Sequence, residues 1–241
     1  MNTTLETIHR RKSVRSFTER DISAEDREAI LRAAISAPSP GNQQLYTIID
    51  VTDRERKAKL AESCDHQPFI AEAKLVLVFC ADCLKWYQAY GDVGCEPRKP
   101  AAGDLMLAVT DACIAAQTAV IAAESLGIGS CYIGDIMENC EIQRDILSLP
   151  AYVFPAAMLV FGYPTEQQKN REKPPRPATE KIVFQNAYPE MTAEDRKELF
   201  LHKCAEREYA EWMEAFCKRK YNSDFSREMS RSVSEYLKEY Q

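Results

Sequence analysis

Residues 10–17 read Arg10-Arg11-Lys12-Ser13-Val14-Arg15-Ser16-Phe17. Four cations and two hydroxyls fall within seven positions of a 241-residue chain whose formal net charge is -6. Such a concentration of positive charge is relieved either by solvent or by an anion. Arginine forks, a lysine ammonium and a serine hydroxyl can together surround a phosphoryl group. This stretch alone leaves two interpretations open, a solvated basic turn and a phosphate-binding site.

Helices are predicted on both sides of the basic stretch. Residues 3–10 have the apolar spacing of a short helix. Ser23 begins a second helix, because Ser23-Ala24-Glu25-Asp26 matches a capping box with acidic residues at the positive end of the helix dipole. Prolines at 38 and 40 end that helix.

The next stretch, Ala37-Pro38-Ser39-Pro40-Gly41-Asn42-Gln43-Gln44, combines turn-forming residues with amides. An ordinary connecting loop explains the prolines and the glycine. It explains less well three amides placed immediately before a strand predicted at residues 46–51. Because amides both donate and accept hydrogen bonds, they suit the edge of a flat heterocycle.

Apolar periodicity predicts the remaining elements of the core. Further strands are expected at residues 74–81, 128–134 and 154–161, and helices at 54–64, 104–126 and 137–147. The helix at 104–126 is apolar nearly all round, which is typical of a helix in a core or between subunits. It carries Asp111, Gln117 and Glu124, so it makes a poor membrane span.

Three less regular segments complete the chain. Residues 82–100 hold aromatic, glycine and proline residues with little periodicity, which indicates a mobile loop or a lid near a site. Residues 167–177 read as a charged, proline-rich linker with a second cationic point. Charged amphipathic helices at 192–220 and 225–240 are typical of an arm that packs on another surface.

Composition narrows the classes of function. A pI of about 5.3 argues against nucleic acid as the main partner, and residues 1–11 lack the apolar run of a signal peptide. Nine scattered cysteines favour a reducing compartment, so we expect a cytoplasmic protein. Cys80 and Cys83 have the spacing of a metal or redox pair, but no second pair follows and they close an apolar strand. We predict no metal site.

Four motifs, in order across residues 5–185, resemble the FMN-dependent nitroreductase family. Arg11-Lys12-Ser13-Val14-Arg15 is similar to the family's opening Arg-x-Ser-x-Arg, and the 37–44 stretch to its Ala-Pro-Ser-x-x-Asn-x-Gln turn. The junction from Ala123 through Gly134 and the segment Pro175–Val183 resemble two later motifs. Tyr132-Ile133-Gly134-Asp135 and Gln67 look closer to the NADPH-preferring subgroup than to the shorter members of the family.

The resemblance implies an α+β fold, with a central, mainly antiparallel sheet flanked by helices. It also implies a homodimer with FMN bound at the interface. Residues 1–188 would form the FMN-binding core, and residues 189–241 a helical arm that wraps onto the partner subunit.

By the same resemblance, the chain would hold FMN through residues of several segments. Arg11, Ser13 and Arg176 would hold the phosphate, with Lys173 nearby and Lys12 either sharing that task or solvated. Arg15 would lie at the pyrimidine edge of the flavin. The other cofactor-binding residues expected are Pro38, Ser39, Pro40, Asn42, Gln67, Tyr132, Ile133, Gly134 and Asp135.

The implied activity is ping-pong transfer of hydride from NADPH or NADH, through FMN, to a small nitroaromatic, quinone or flavin acceptor. No protein acid or base is assigned as catalytic, because the flavin carries the chemistry. Two alternatives remain: a flavin or quinone reductase whose acceptor in the cell is not a nitro compound, and a flavin-binding protein without turnover.

Overall fold

The computed structural model describes residues 2–241, and its centre is one four-stranded sheet. The strands are β1 (Tyr46–Asp50), β2 (Leu75–Asp82), β3 (Gly129–Ile133) and β4 (Val153–Gly162). All neighbouring strands are antiparallel, in the order β1-β2-β4-β3. The central strands β2 and β4 are buried along their whole length, because both faces of the sheet are covered. The predicted α+β class with an antiparallel sheet is confirmed.

Helices surround this sheet in residues 2–241. They are α1 (Thr3–Arg10), α2 (Ala24–Ile35), α3 (Arg54–Ser63), α4 (Phe69–Glu72), α5 (Leu84–Asp92), α6 (Ala102–Ser125), α7 (Cys140–Leu147), α8 (Glu166–Asn170), α9 (Ala193–Phe200), α10 (Tyr209–Lys220) and α11 (Asp224–Leu237). The predicted cap of α2 is present, since the Ser23 side chain accepts a hydrogen bond from the Asp26 N–H.

Helix α6 lies at the centre of a hydrophobic core, packed against the sheet and α2. One of its faces is made of small residues, which let it approach the sheet and α2 closely. The alanines buried on this face are Ala108, Ala112, Ala115, Ala116, Ala119 and Ala123. By length and composition α6 could also cross a membrane, but a core helix passes the same test, and its small residues pack on the sheet. Gly127, with φ of 74°, follows its C-terminus as predicted.

The chain divides into two compact units. One comprises the residues up to Arg171 together with Glu228–Gln241, and the other comprises Glu172–Arg227. In the first unit, Tyr236 is fully buried and its ring meets that of Phe154 edge-on, with centroids 5.0 Å apart. Residues 228–241 therefore pack on the core of their own chain. That the arm predicted for 189–241 also wraps a partner stays a prediction.

Some predicted elements differ from the structure. Residues 84–92 of the expected 82–100 loop form helix α5, and residues 166–170, at the start of the expected linker, form α8. The helix expected at 192–220 is two helices, α9 and α10. The chain breaks between them because Ala205 takes a φ of 50° and the Glu208 side chain then caps α10. Helix α7 begins only at Cys140, since Asn139 is left-handed.

The basic stretch is docked against the edge of the sheet beside β3. The Val14 N–H donates to the carbonyl of Ser130 at 2.9 Å, and Ser13 forms a parallel bridge with Ser130. This approach requires Gly129, because a Cβ there would lie 2.6 Å from Cγ2 of Val14. The cations are therefore carried on a segment that is hydrogen-bonded to the edge of the sheet rather than on a free loop.

This close approach predicts opposite effects for two Gly→Ala substitutions. Gly129→Ala should lower the free energy of unfolding by about 1–3 kcal/mol, because Val14 must move. Gly103→Ala is the control, since a Cβ in that first turn of α6 meets nothing within 4 Å. It should be neutral or stabilising by up to about 1 kcal/mol. Urea unfolding measures both, and equal effects would contradict the docking.

Candidate functional site

Three predicted site residues of the basic stretch lie around the thiol of Cys131 in β3. Burial raises the pKa of that thiol, whereas the guanidinium groups of Arg15 and Arg11 and a hydrogen bond with Ser13 act in the opposite direction. Both arginines and the serine therefore lie within electrostatic range of one residue of β3, at this edge of the sheet. A guanidinium fork and a hydroxyl on such an edge can bind a phosphoryl group.

Helix α8 and its C-cap hold the basic stretch from the other side. Lys12 Nζ donates to the carbonyls of Lys169 and Arg171 at 2.6 and 2.5 Å, and the Arg171 guanidinium donates to the carbonyl of Ser13. The Arg15 N–H donates to Oε1 of Gln168 at 3.3 Å. The Lys12 ammonium thus has a structural role here, and its contact with a phosphate stays a prediction.

The end of β3 offers exposed backbone next to these cations. Gly134 is exposed, and the position where its Cβ would be faces open space, with no atom within 4 Å. Tyr132 is 39% exposed, and its hydroxyl lies 3.4 Å from Oε1 of Gln117 on α6. Ile133 is buried between them. The backbone at Gly134 is therefore open to contact with a ligand.

Gln67 and Asp135 both interact with Cys64. Burial raises the pKa of the Cys64 thiol to about 12, and the Asp135 carboxylate contributes in the same direction. The Gln67 amide donates to the Cys64 carbonyl at 2.8 Å, so its Oε1 is oriented away from that bond. The structure therefore brings the predicted residues at 11–15 and 132–135 to the β3 edge of the sheet, and Gln67 is connected with them through the interaction of Cys64 with Asp135.

The turn containing Pro38, Ser39, Pro40 and Asn42 is built on a buried carboxylate. Oδ2 of Asp111, which is fully buried in α6, accepts from the Ser39 hydroxyl at 2.8 Å and from the Leu45 N–H at 2.7 Å. Gly41 and Asn42 both take positive φ values, 55° and 56°. This carboxylate inside an apolar helix fixes the turn's position.

The turn and the basic stretch lie far apart in one chain. Ser39 contacts α6 at Asp111, whereas Arg10 contacts it at Glu124, with Nε to Oε1 at 3.2 Å. Thirteen residues of helix separate these contacts, about 20 Å at the usual rise. The strand order gives a similar distance. The turn leads into β1 at one edge of the sheet, and the basic stretch adjoins β3 at the other edge, about 19 Å away at the usual strand spacing. Lys173 and Arg176 belong to the second unit, and their role stays a prediction.

A buried glutamate that the motifs did not single out lies beside this site. Glu138 is 6% exposed, and its Oε1 has no hydrogen-bond partner. Burial raises the pKa of its carboxyl to about 7. Three neighbouring carboxylates act in the same direction: Asp135, Asp65 and Glu228. No local pattern marks this residue, because its burial, and its approach to Asp65 and Glu228 from distant parts of the sequence, arise only in the fold.

The cysteine pair lies elsewhere, at the end of β2. Cys80 and Cys83 are both buried, and burial raises the pKa of their thiols to about 12 and about 11. Within residues 2–241, no three His, Cys, Asp or Glu side chains are grouped as a metal site. These thiols therefore pack as small apolar groups.

Residues 8–163 match the model of the nitroreductase family. This chain belongs to that family. It is 34% identical to "FMN reductase [NAD(P)H]" of Bacillus subtilis (strain 168), over 98% of this chain and 91% of the relative. The nitroreductase fold is confirmed by two solved structures that resemble it over nearly the whole chain.

The first is the NfrA1 nitroreductase of B. subtilis, with a TM-score of 0.85 and 28% identity over 99% of this chain and 98% of the other. The second is the NADPH:FMN oxidoreductase of Vibrio harveyi complexed with NAD+. Its TM-score is 0.83, with 26% identity over 98% of both chains. The similarity therefore extends beyond residues 8–163 of the nitroreductase match.

Glu138 makes stability depend on pH. A carboxyl whose pKa is higher in the folded than in the unfolded chain stabilises the fold at acidic pH, and this contribution is lost as pH rises through about 7. Between pH 5 and pH 8, the free energy of unfolding of Glu138→Gln should therefore rise by about 2 kcal/mol relative to that of wild type.

Glu141→Gln on α7 provides the comparison, because a hydrogen bond from Arg231 lowers the pKa of Glu141 to about 2. Its difference from wild type should be the same at pH 5 and pH 8. Denaturant unfolding at the two pH values measures both variants. A pH-independent difference for Glu138→Gln would contradict the assignment.

Proposed function

We propose that this chain is an FMN-dependent NAD(P)H oxidoreductase that reduces small nitroaromatic, quinone or flavin acceptors. The observation that carries the proposal is the docking of residues 13–14 on β3, which places Arg11, Ser13 and Arg15 along the edge of the strand that leads into the exposed Gly134. The names of the relatives support it, since they include an FMN reductase and an NADPH:FMN oxidoreductase.

The residues present fit FMN. Arg11 and Ser13 would bind its phosphate, and the phosphate contacts expected of Lys173 and Arg176 stay a prediction. Arg15 would lie at the pyrimidine end of the ring, where a fixed cation stabilises the negative charge that reduction brings. Gly134 and Ile133 would bind the ring through their backbone, with Tyr132, Asp135 and Gln67 around it. When bound, FMN accepts hydride from NADPH or NADH and passes electrons to the acceptor.

We also propose that the working form is a homodimer in which the Pro38–Asn42 turn of one chain completes the site of the other. The distance of about 20 Å between the turn and the cations supports this arrangement. So does the solvent-facing side of α6, which exposes the apolar side chains of Met106 and Ile114. Exposed apolar patches of this kind are typical of interfaces.

We propose a cytoplasmic location because of the state of the cysteines. All nine lie within the described residues, and all are free thiols. Unpaired thiols in this number are typical of proteins in reducing compartments.

The cations should decide flavin affinity. Arg15→Ala should weaken FMN binding about 10- to 100-fold, because a charge-assisted hydrogen bond is lost, and should slow reduction of the bound flavin by NADPH. Arg32→Ala is the matched control, since Arg32 is exposed on α2 and pairs with Glu28. Quenching of flavin fluorescence on titration measures affinity. Protein that takes up no FMN at all would overturn the proposed function.

A site shared between two chains predicts complementation. One chain carries Arg11→Ala with Arg15→Ala, and the other carries Pro38→Glu at an exposed position of the turn. Neither variant alone should retain FMN on gel filtration. A heterodimer isolated with two different affinity tags should retain one FMN, because one of its two sites has both halves intact. Two flavins or none in the heterodimer would contradict the shared site.

A further inference from the structure

A cleft of about 350 Å³ opens beside the Pro38–Asn42 turn. Its walls come from α5, the 97–100 segment and the first turns of α6. None of the fifteen residues predicted to bind cofactor lines it, although Gln43 and Leu45 at its edge directly follow the turn. The volume lies within the range usual for small-molecule sites.

One wall of the cleft is aromatic. Trp86, Tyr87 and Tyr90 lie on one face of α5, and the rings of Trp86 and Tyr90 are 5.7 Å apart. The Trp86 indole is fixed, because its Nε1–H donates to the carbonyl of Gln43 at 2.8 Å. Tyr90 and Leu107, which both line the cleft, are 40% and 53% exposed. Exposed aromatic and aliphatic side chains in one cleft suit a flat apolar ring.

The charges in the cleft are already paired. Arg98 donates to both carboxylate oxygens of Asp104, at 2.6 and 2.9 Å. The Arg98 hydrogen bond and the Arg98 charge lower the pKa of Asp104, against an opposing effect of burial, so the carboxylate stays ionised at neutral pH. The pair contributes no net charge, yet the guanidinium has five N–H groups and keeps some for a further acceptor.

We propose that this cleft binds a neutral, planar aromatic molecule that carries an oxygen acceptor such as a nitro or carbonyl group. The ring would lie against Tyr90 and Trp86, and its oxygen would accept a hydrogen bond from Arg98. An anionic ring is disfavoured, because Asp104 cancels the charge of Arg98. The exposed apolar side chains of Tyr90 and Leu107 then have a partner of matching chemistry.

Binding in this cleft can be measured without turnover. Its role as an acceptor site rests on the proposed function. Nitroaromatic and quinone acceptors are neutral, planar and carry such oxygens. The cleft adjoins the turn that we propose to line the flavin ring of the other chain. It would therefore concentrate an electron acceptor next to the site of reduction.

The test is equilibrium dialysis of the FMN-loaded protein, without NADPH, against 4-nitrobenzamide and 4-nitrobenzoate. The two probes have nearly the same shape and differ in charge. Wild type should bind the neutral amide at least tenfold more tightly. Asp104→Asn keeps a group that can cap α6 but frees the charge of Arg98, so it should bind 4-nitrobenzoate at least fivefold more tightly.

Variants of the aromatic wall test the ring contact. Tyr90→Ala should weaken 4-nitrobenzamide binding at least fivefold, and Tyr90→Phe should restore it to within twofold. Val93→Ala, at the exposed C-cap of α5 and outside the cleft, should leave binding unchanged. Tyr90→Phe keeps the ring and removes the hydroxyl, so weak binding by Tyr90→Phe as well would contradict the ring contact.

The inference is overturned if neither probe binds, as when a second copy of the chain fills the cleft. It is also overturned if Tyr90→Ala or Asp104→Asn leaves the affinities unchanged. Failure of the proposed function is seen separately, as protein that takes up no FMN. In that case dialysis of the flavin-free chain with the same variants still decides whether the cleft binds the probes.

Discussion

The hydrogen bond from the Val14 N–H to the Ser130 carbonyl is the contact on which the proposed site depends. Together with the Ser13–Ser130 bridge, it docks residues 13–14 on the edge of the sheet, which positions Arg11 and Arg15 beside β3. The bond can form only because Gly129 has no side chain where Val14 lies. Because Gly129 has no Cβ, the mutually repulsive cations can be held in order at the edge of the sheet, where they suit an anion.

Helix α6 organises both halves of the proposed site. Its alanine face lets it lie close on the sheet, so the same helix contacts the Pro38–Asn42 turn near its start and the basic stretch near its end. The buried Asp111 is the only charged residue between Leu105 and Ala123, and both of its hydrogen bonds hold the turn. An interior carboxylate with these partners is costly to disturb, which keeps the two halves a fixed distance apart.

Local patterns predicted most of the fold, because capping and periodicity act within a few residues. The Ser23 cap and the strands of the sheet follow the sequence closely. Helix α5 was missed, since its aromatic residues read as loop composition although Cys83, Trp86 and Tyr90 recur at helical spacing. Glu138 could not be predicted, because the groups that surround it come together only in the fold. The motifs predicted the residues at the β3 edge, but no local signal predicts the distance between that edge and the Pro38–Asn42 turn.

The free cysteines have a consequence for a protein that handles electrons. Six of the nine are buried, and those at 64, 80 and 83 have pKa values raised to about 11 or 12. A thiol reacts with peroxide or disulfides as its thiolate, which is nearly absent at neutral pH in such surroundings. Hydrogen peroxide formed when a reduced flavin meets oxygen would therefore find these sulfur atoms inert. Attack would be directed to the exposed Cys95 and Cys217, where modification leaves the core intact.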